Sequence, residues 1–241
     1  MKTTNNIVLI TGGSSGIGFA LAKKFLKENN SVIITGRNKD KLAKIRNDFP
    51  DIKTEIADMT HPFMLEQLVK KYMDVNILIN NAGIQYNYNF VDQNNSPDLI
   101  ETEFHTNLIG PIYLIKLFLP QLLSKEIAAI INVSSGLGLV PKQSAPVYCG
   151  TKAGLHIFTK SLRWQLESTN IKVFEIIPSL VDTAMTKGRE SGKISPEELV
   201  DEFCKKFKCD SYEILIGKVK LLYVINRFLP SLAERIMRPG L

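Results

Sequence analysis

A tyrosine and a lysine four residues apart are the strongest candidates for chemistry in this sequence. Tyr148 and Lys152 lie in YCGTK, at the start of a predicted helix, where this spacing places both side chains on one face. A phenol has an ordinary pKa of about 10, and a neighbouring ammonium lowers it by stabilising the phenolate. The pair is therefore suited to general acid–base catalysis, although the same spacing is common in surface Tyr–Lys pairs.

Polar residues that follow predicted strands favour the catalytic interpretation. Ser135 follows the apolar run 130–133, thirteen residues before Tyr148, and Asn80 and Asn81 end another such run. Open α/β sheets bind their ligands at the carboxyl ends of the strands. We therefore expect these polar groups to share one edge of a sheet with the tyrosine.

A glycine-rich loop between the first predicted strand and the first predicted helix is a candidate phosphate-binding site. It reads TGGSSGIG over residues 11–18. Glycines allow a sharp turn and a close approach to a pyrophosphate, and the helix N-terminus offers unpaired N–H groups and the positive end of its dipole. The position between strand and helix is the one this mechanism requires. A purely structural strand–helix turn is the alternative.

The end of the second predicted strand indicates which dinucleotide would bind. Gly36 and Arg37 stand there. A carboxylate at this place would bind the ribose 2′-hydroxyl of NAD, whereas an arginine pairs with the 2′-phosphate of NADP. The sequence therefore favours NADP(H) over NAD(H), with an ordinary surface arginine as the alternative.

Short apolar runs alternate with helix-length segments along the chain. The predicted strands cover residues 7–10, 32–34, 52–57, 75–79, 128–133, 171–177 and 213–216. Several are apolar throughout, as expected for strands covered on both faces. This alternation predicts an α/β fold with a Rossmann-type doubly wound parallel sheet of about seven strands and helices on both faces. We expect a single domain over residues 1–241.

Composition narrows the class of protein further. The 241 residues include 44% apolar residues, and the net charge of +6 is scattered, so we expect neither nucleic acid nor a membrane as a partner. Three cysteines and three histidines lack the spacing of disulfide frameworks or metal sites, which favours a cytoplasmic protein without a metal. The most apolar segment, residues 108–123, contains two prolines and a lysine and is interpreted as a buried helix.

Taken together, the motifs resemble the short-chain dehydrogenase/reductase superfamily over about residues 5–185. The matching segments are TGGSSGIG (11–18), NNAG (80–83), TNLIGP with Asn107, VSS ending at Ser135, YCGTK (148–152) and IPSLVDT (177–183). The chain is also similar to bacterial short-chain oxidoreductases associated with D-alanyl-teichoic-acid operons. The resemblance implies an enzyme that moves a hydride between a nicotinamide cofactor and a small carbonyl or secondary alcohol.

The resemblance also implies roles for individual residues. Tyr148 would donate a proton to the carbonyl oxygen, Lys152 would lower the pKa of Tyr148 and hydrogen-bond the nicotinamide ribose, Ser135 would orient and polarise the carbonyl, and Asn107 would hold a water in a proton relay. The implied pyrophosphate contacts are Gly12, Ser14, Ser15, Gly16, Ile17 and Gly18. The other implied cofactor contacts are Asp58 and Met59 at the adenine, Asn81 at the adenosine ribose, and Val181 and Thr183 at the carboxamide. A homodimer or other homo-oligomer is expected.

Two departures from the superfamily's pattern affect the cofactor site. Ser15 stands where many NADP(H) members carry a basic residue in the glycine loop, which leaves Arg37 alone to select the phosphate. Ser179 replaces the usual glycine after Pro178, so the loop towards Thr183 is expected to be stiffer.

The C-terminal part departs most from the pattern. Residues 185–215 are expected to include the loop over the substrate, and residues 218–238 form an amphipathic segment in which Pro230 should end or kink a helix near Leu229. Its apolar residues at helical spacing are Leu221, Ile225, Phe228, Leu232 and Ile236. Packing on the chain's own cleft or on a partner subunit, contact with a membrane surface, and an unassigned protein partner are the alternatives.

Two other functions of the same fold remain open. A catalytically silent nucleotide-sensing or scaffold protein is disfavoured because Asn107, Ser135, Tyr148 and Lys152 are all present. An epimerase or dehydratase of nucleotide sugars is disfavoured because such relatives usually have a larger C-terminal part.

Overall fold

The computed structural model describes residues 1–91, 96–188 and 192–239, and seven strands in this part of the chain form one parallel sheet. The strands are β1 Ile7–Ile10, β2 Ser31–Gly36, β3 Ile52–Ile56, β4 Ile77–Asn80, β5 Ala128–Val133, β6 Ile171–Pro178 and β7 Glu213–Ile216. Their order is β3-β2-β1-β4-β5-β6-β7, and all six pairings are parallel. The predicted doubly wound sheet is confirmed.

Helices cover both faces of the sheet. Within the described residues the α-helices are α1 Gly16–Lys27, α2 Lys39–Asp48, α3 Pro62–Lys71, α4 Pro97–Phe104, α5 Gly110–Leu123, α6 Pro146–Gln165, α7 Pro196–Lys208, α8 Val219–Phe228 and α9 Pro230–Met237. Helices α1, α2 and α7 pack on one face and α3, α5 and α6 on the other. Successive residues of β1 point to opposite faces, so that Val8 and Ile10 join the first core and Leu9 joins the second.

The sheet order reverses between β1 and β4, which are neighbours although two strands separate them in sequence. The loops that follow these two strands leave in opposite directions and open a crevice at their carboxyl ends. The glycine loop follows β1, and Asn81 follows β4. The topology therefore places both predicted motifs at the edge where this fold binds ligands.

The segment expected to be a substrate loop is partly a core helix, which corrects the prediction for residues 196–208. Phe203 and Phe207 of α7 are fully buried against Phe25 of α1. Ser195 caps α7, where its side chain accepts from the backbone N–H of Glu198 at 3.1 Å. The SPEE sequence at the start of α7 has the pattern of a capping box, a helix start signal that the loop prediction passed over. Residues 189–191 of the predicted loop lie outside the described residues.

Among the residues that the structure describes, one helix has the length and composition of a membrane span. It runs from Pro97 to Leu123 through α4, a π-helical turn and α5, and 44% of its most apolar stretch is buried in the protein. Its side chains Leu114, Phe118 and Leu122 are fully buried in the core beneath the sheet. The contacts are those of a buried core helix, as the sequence predicts.

The C-terminal segment folds into two helices that meet at Leu229. Helix α8 ends at Phe228 and α9 begins at Pro230, so the predicted break is confirmed. The predicted apolar face is wrong in part, because Leu221 and Phe228 of α8 are 66% and 76% exposed, and Leu232 and Ile236 of α9 are 42% and 41% exposed. The residues that follow three of them, Leu222, Ala233 and Met237, are buried instead, so the most buried face of each helix is shifted from the predicted one.

Candidate active site

A cavity of about 480 Å³ lies at the carboxyl edge of the sheet, between the glycine loop and the helices α8 and α9. It brings together most of the predicted site residues. Its wall includes Gly12, Ser14, Ser15, Gly16, Ile17, Arg37, Asp58, Met59, Asn81, Ser135, Tyr148, Lys152, Val181 and Thr183. Gly18 and Asn107 lie behind the wall.

The glycine loop has the geometry of a phosphate cradle. Gly12 and Gly16 adopt φ values of 64° and 54°, the left-handed region that favours glycine. A Cβ at Gly12 would lie 2.8 Å from the Cα of Ala82, so the loop is pressed against the segment after β4. Ser15 makes no side-chain cap to α1, which leaves the first-turn N–H groups open towards the cavity. This loop fits the pyrophosphate of a dinucleotide.

Gly18 packs the loop rather than lining the cavity. A Cβ there would collide with the amide nitrogen of Asn81 and with the carbonyl oxygen of Gly12. That same nitrogen donates hydrogen bonds to the carbonyl oxygens of Thr11 and Gly12, at 3.0 and 3.1 Å. Gly18 therefore has a packing role, and the Asn81 amide ties the loop to the end of β4. The pyrophosphate contact that the resemblance implies for Gly18 remains a prediction.

Arg37 stands at the far end of the cavity, beside Ser14 and Asp58. Its side chain is 55% exposed, and its guanidinium lies 4.0 Å from the nearer oxygen of Asp58. The other oxygen of Asp58 accepts from the backbone N–H and the hydroxyl of Thr60, both at 2.9 Å. Since Asp58 is held by Thr60 and only loosely paired with Arg37, the guanidinium retains donors for an anionic group.

Helix α6 brings the predicted acid–base pair to the opposite end of the cavity. Tyr148 and Lys152 are both buried on one face of its first two turns. The Lys152 ammonium nitrogen donates to the carbonyl oxygen of Val133 at 2.8 Å and lies 5.7 Å from the centre of the Tyr148 ring. The end of β5 therefore anchors the lysine beneath the phenol.

Ser135 follows β5 and caps a short 3-10 turn, where its hydroxyl oxygen accepts from the N–H of Leu137 at 3.1 Å. Its own hydroxyl hydrogen stays available to a ligand. Gly138, which the sequence analysis missed, ends this turn against α6: a Cβ there would lie 2.8 Å from the carbonyl carbon of Lys152. Glycine thus allows the turn that carries Ser135 to touch the backbone of α6, and the SSGLG pattern was the available signal.

Asn107 occupies a π-helical turn, His105–Ile109, between α4 and α5. Its amide nitrogen donates to the carbonyl oxygen of Ile84 at 2.8 Å and to the hydroxyl of Thr151 at 3.2 Å, and its oxygen accepts from the N–H of Ile84 at 2.9 Å. The side chain therefore joins the segment after β4 to α6. The water-binding role that the resemblance implies remains a prediction.

Two buried carboxyl groups accompany Lys152, and neither was predicted from the sequence. Glu175, in β6, is fully buried and lies 2.9 Å from Nδ1 of His156, one turn after Lys152 in α6. Glu103 is also fully buried and accepts from the hydroxyl of Tyr88 at 2.9 Å. Burial lowers the pKa of Lys152 to about 8, while the charges of Glu175 and Glu103 oppose that shift. An acid inside the apolar strand FEII was the signal for Glu175.

Comparison with known proteins identifies the family. The family model described as short chain dehydrogenase matches residues 6–193. The chain is 40% identical over 230 residues to the uncharacterized oxidoreductase DltE of Bacillus subtilis (strain 168), and this match covers 91% of each chain. The chain belongs to the short-chain dehydrogenase family and is an oxidoreductase. The resemblance stated from the motifs is confirmed.

Solved structures share the fold. A short chain dehydrogenase from Burkholderia cenocepacia J2315, in complex with NADP, superposes with a TM-score of 0.89 at 24% identity and covers 99% of this chain and 100% of its own. A short chain dehydrogenase/reductase from Burkholderia phymatum, in complex with NAD, has a TM-score of 0.86 at 19% identity and covers 100% and 98%. Structural neighbours thus bind either nicotinamide dinucleotide.

Proposed function

We propose that this protein is an NADP(H)-dependent oxidoreductase that interconverts a carbonyl and a secondary alcohol. The observation that carries the proposal is the shared cavity: its wall contains the glycine cradle and Arg37 at one end and Ser135, Tyr148 and Lys152 at the other. A protein that only binds a dinucleotide would need the glycine cradle and Arg37 alone. An acid–base pair at the opposite end of the same cavity favours a reaction.

Each catalytic side chain has a definite task in this mechanism. A nicotinamide cofactor supplies or accepts the hydride. In reduction the Tyr148 hydroxyl donates its proton to the substrate oxygen, and the Lys152 ammonium stabilises the phenolate that remains. Ser135 donates its free hydroxyl hydrogen to the same oxygen, which holds the carbonyl in place. In oxidation the proton returns to Tyr148.

A carbonyl panel tests the reaction. We expect NADPH absorbance to fall when the protein is mixed with a panel of aldehydes and ketones, and to rise when NADP⁺ is mixed with secondary alcohols. Binding of NADPH without turnover of any compound in the panel would favour the catalytically silent nucleotide-sensing or scaffold protein instead.

Arg37 should determine the choice of dinucleotide. NADPH is expected to raise the melting temperature more than NADH does at equal concentration, because the guanidinium pairs with the 2′-phosphate. Arg37→Ala should weaken NADPH binding by about tenfold to a hundredfold, since a hydrogen bond to a charged group contributes about 1.5–3 kcal/mol, and should leave NADH binding almost unchanged.

The matched control for Arg37 is Arg46→Ala, because Arg46 is an exposed arginine of α2 that does not line the cavity. It should alter the affinity for neither cofactor. Equal stabilisation of the wild-type protein by NADPH and NADH would remove Arg37 from its proposed role.

A homo-oligomer and a cytoplasmic location are proposed with the reaction. Ile157 and Trp164 are separated by seven residues on α6 and are 64% and 70% exposed, so they form an apolar strip on a helix that also carries Tyr148. A second copy on this strip would remove both side chains from water, which supports a homodimer.

A further inference from the structure

Apolar side chains line one half of the cavity. The cavity wall includes Leu137, Met185, Leu221, Leu222, Ile225 and Ile236. Of these, Leu137, Leu222 and Ile225 pack in one cluster, and the backbone N–H of Leu137 donates to the hydroxyl oxygen of Ser135. Helix α8 closes this half directly over the turn after β5, since a Cβ at Gly136 would lie 2.9 Å from a methyl group of Val219. The apolar wall therefore stands beside the proposed reacting carbon and not at the Arg37 end.

The two C-terminal helices are fixed in place over the cavity. Leu222, Ala233 and Met237 pack with Val140 in a small core of their own. The backbone N–H of Gln143 also donates to the carbonyl oxygen of Arg238 at 3.1 Å. With this core holding the pair of helices, Ile225 and Ile236 are left to line the cavity.

The charges of this half disfavour a cationic substrate. Among its described wall residues none carries a carboxylate, because the one acid of the whole wall, Asp58, lies beside Arg37. Lys142, Lys152 and Lys218 are the cations in this part of the described wall. A cationic substrate would meet like charges here, and a polyhydroxylated one would lose its hydrogen bonds to water against hydrocarbon.

We propose that the substrate is a ketone, or the matching secondary alcohol, whose hydrocarbon substituent of several carbons is buried beneath α8 and α9. This inference rests on the proposed carbonyl reduction. The carbonyl carbon gains the hydride and its oxygen gains the Tyr148 proton, while the substituent takes no part in the bond changes and contributes binding by leaving water.

A chain-length series measures this contribution. For methyl ketones from butan-2-one to decan-2-one, reduced with NADPH, we expect kcat/KM to rise roughly fourfold with each added methylene until the chain fills the cavity. This is the fold-change that corresponds to about 0.8 kcal/mol for a buried methylene. A flat series, or faster reduction of polyhydroxylated ketones, would overturn the proposal.

Neighbouring residues of α8 provide a matched pair of variants. Ile225→Asp places a charge in the cavity wall and should abolish the gain with chain length by raising KM for the longer ketones. Val224→Asp places the same charge on the next residue, which is 51% exposed and outside the wall, and should keep the gain. An equal loss in both variants would show that the effect is not local to the cavity.

Binding measured without turnover separates this proposal from the proposed reaction. Titration calorimetry of the NADPH-loaded protein should detect octanamide but not acetamide, and Ile225→Asp should weaken octanamide binding at least tenfold. If no ketone is reduced but octanamide binds in this way, the reaction assignment fails and the apolar substrate site stands. If ketones are reduced but octanamide does not bind, the apolar site fails and the reaction stands.

Discussion

Tyr148→Phe is expected to lower kcat for carbonyl reduction by about 10²- to 10⁴-fold, the contribution typical of a positioned general acid. The change removes one oxygen atom and leaves the ring beside the Lys152 ammonium, which lies 5.7 Å from its centre. NADPH affinity should therefore be almost unchanged, because the cradle at Gly12 and Gly16 is not altered. Single-turnover kinetics and a fluorescence titration with NADPH measure the two effects on one protein sample.

The control is Tyr223→Phe, the same substitution on α8 at a tyrosine that lies outside the cavity wall. It should retain wild-type kcat. If Tyr148→Phe retained wild-type turnover, the proton would have to come from another group and the proposed mechanism would be wrong. Loss of turnover together with loss of NADPH binding would point to a folding defect, which thermal melting with and without cofactor identifies.

The fold was predictable because strand and helix periodicities are local properties of the chain. The apolar runs predicted the seven strands, and the loops TGGSSGIG and NNAG fell at strand ends that the parallel order brings together. Arg37 and Tyr148 could be placed at this edge without knowledge of side-chain contacts. Their positions follow from which strand precedes them.

The packing contacts of the supporting residues were not predictable, since they join distant segments. Gly138 matters because α6 passes directly behind it. Asn107 was named from the resemblance, but its hydrogen bonds to Ile84 and Thr151 have no signal in the sequence. Glu175 appears in the sequence as one acid among apolar residues. Only its pairing with His156 in α6 shows why a carboxyl group is retained in a buried strand.

The apolar lining contributed by α8 and α9 was not predictable for the same reason, because it depends on contacts between distant segments. A helical spacing counted through residues 218–238 selects Leu221 and Phe228, but within α8 both are exposed and Leu222 is the buried residue. Which side chains face the cavity is settled by the packing of Leu222 and Met237 with Val140. Tertiary contacts of this kind have no local sequence signal.

Lys152 links catalysis to stability. Its ammonium is buried with a pKa lowered to about 8, so at neutral pH the folded protein holds a charge that burial disfavours. Because the folded-state pKa lies below the ordinary value, this cost is fully present below pH 8 and diminishes as pH rises from 8 towards the ordinary pKa of lysine. The protein thus carries a local instability at the group that we propose stabilises the Tyr148 phenolate, a pattern common at active sites.

The same pKa predicts how reduction depends on pH. In the proposed mechanism the protonated lysine is the active form, so kcat/KM should decrease as pH rises through about 8. This descending limb of the pH profile belongs to Tyr148 and Lys152 as a coupled pair. Lys152→Met should lower kcat by about 10²- to 10⁴-fold at pH 7 and should lose the limb near pH 8. Initial rates of NADPH oxidation from pH 6 to 10 measure both.

Two further variants make the pH prediction specific to Lys152. Glu175→Gln removes a carboxylate that favours the buried ammonium, so it should move the limb to lower pH while NADPH binding at pH 6 stays unchanged. Lys160→Met, on the same helix and paired with Glu213 at 3.7 Å outside the cavity wall, should leave the limb where it is. A limb that stays near pH 8 in Lys152→Met would assign the titration to another group. A limb that moves upward in Glu175→Gln would contradict the stabilising effect of that carboxylate on the Lys152 ammonium.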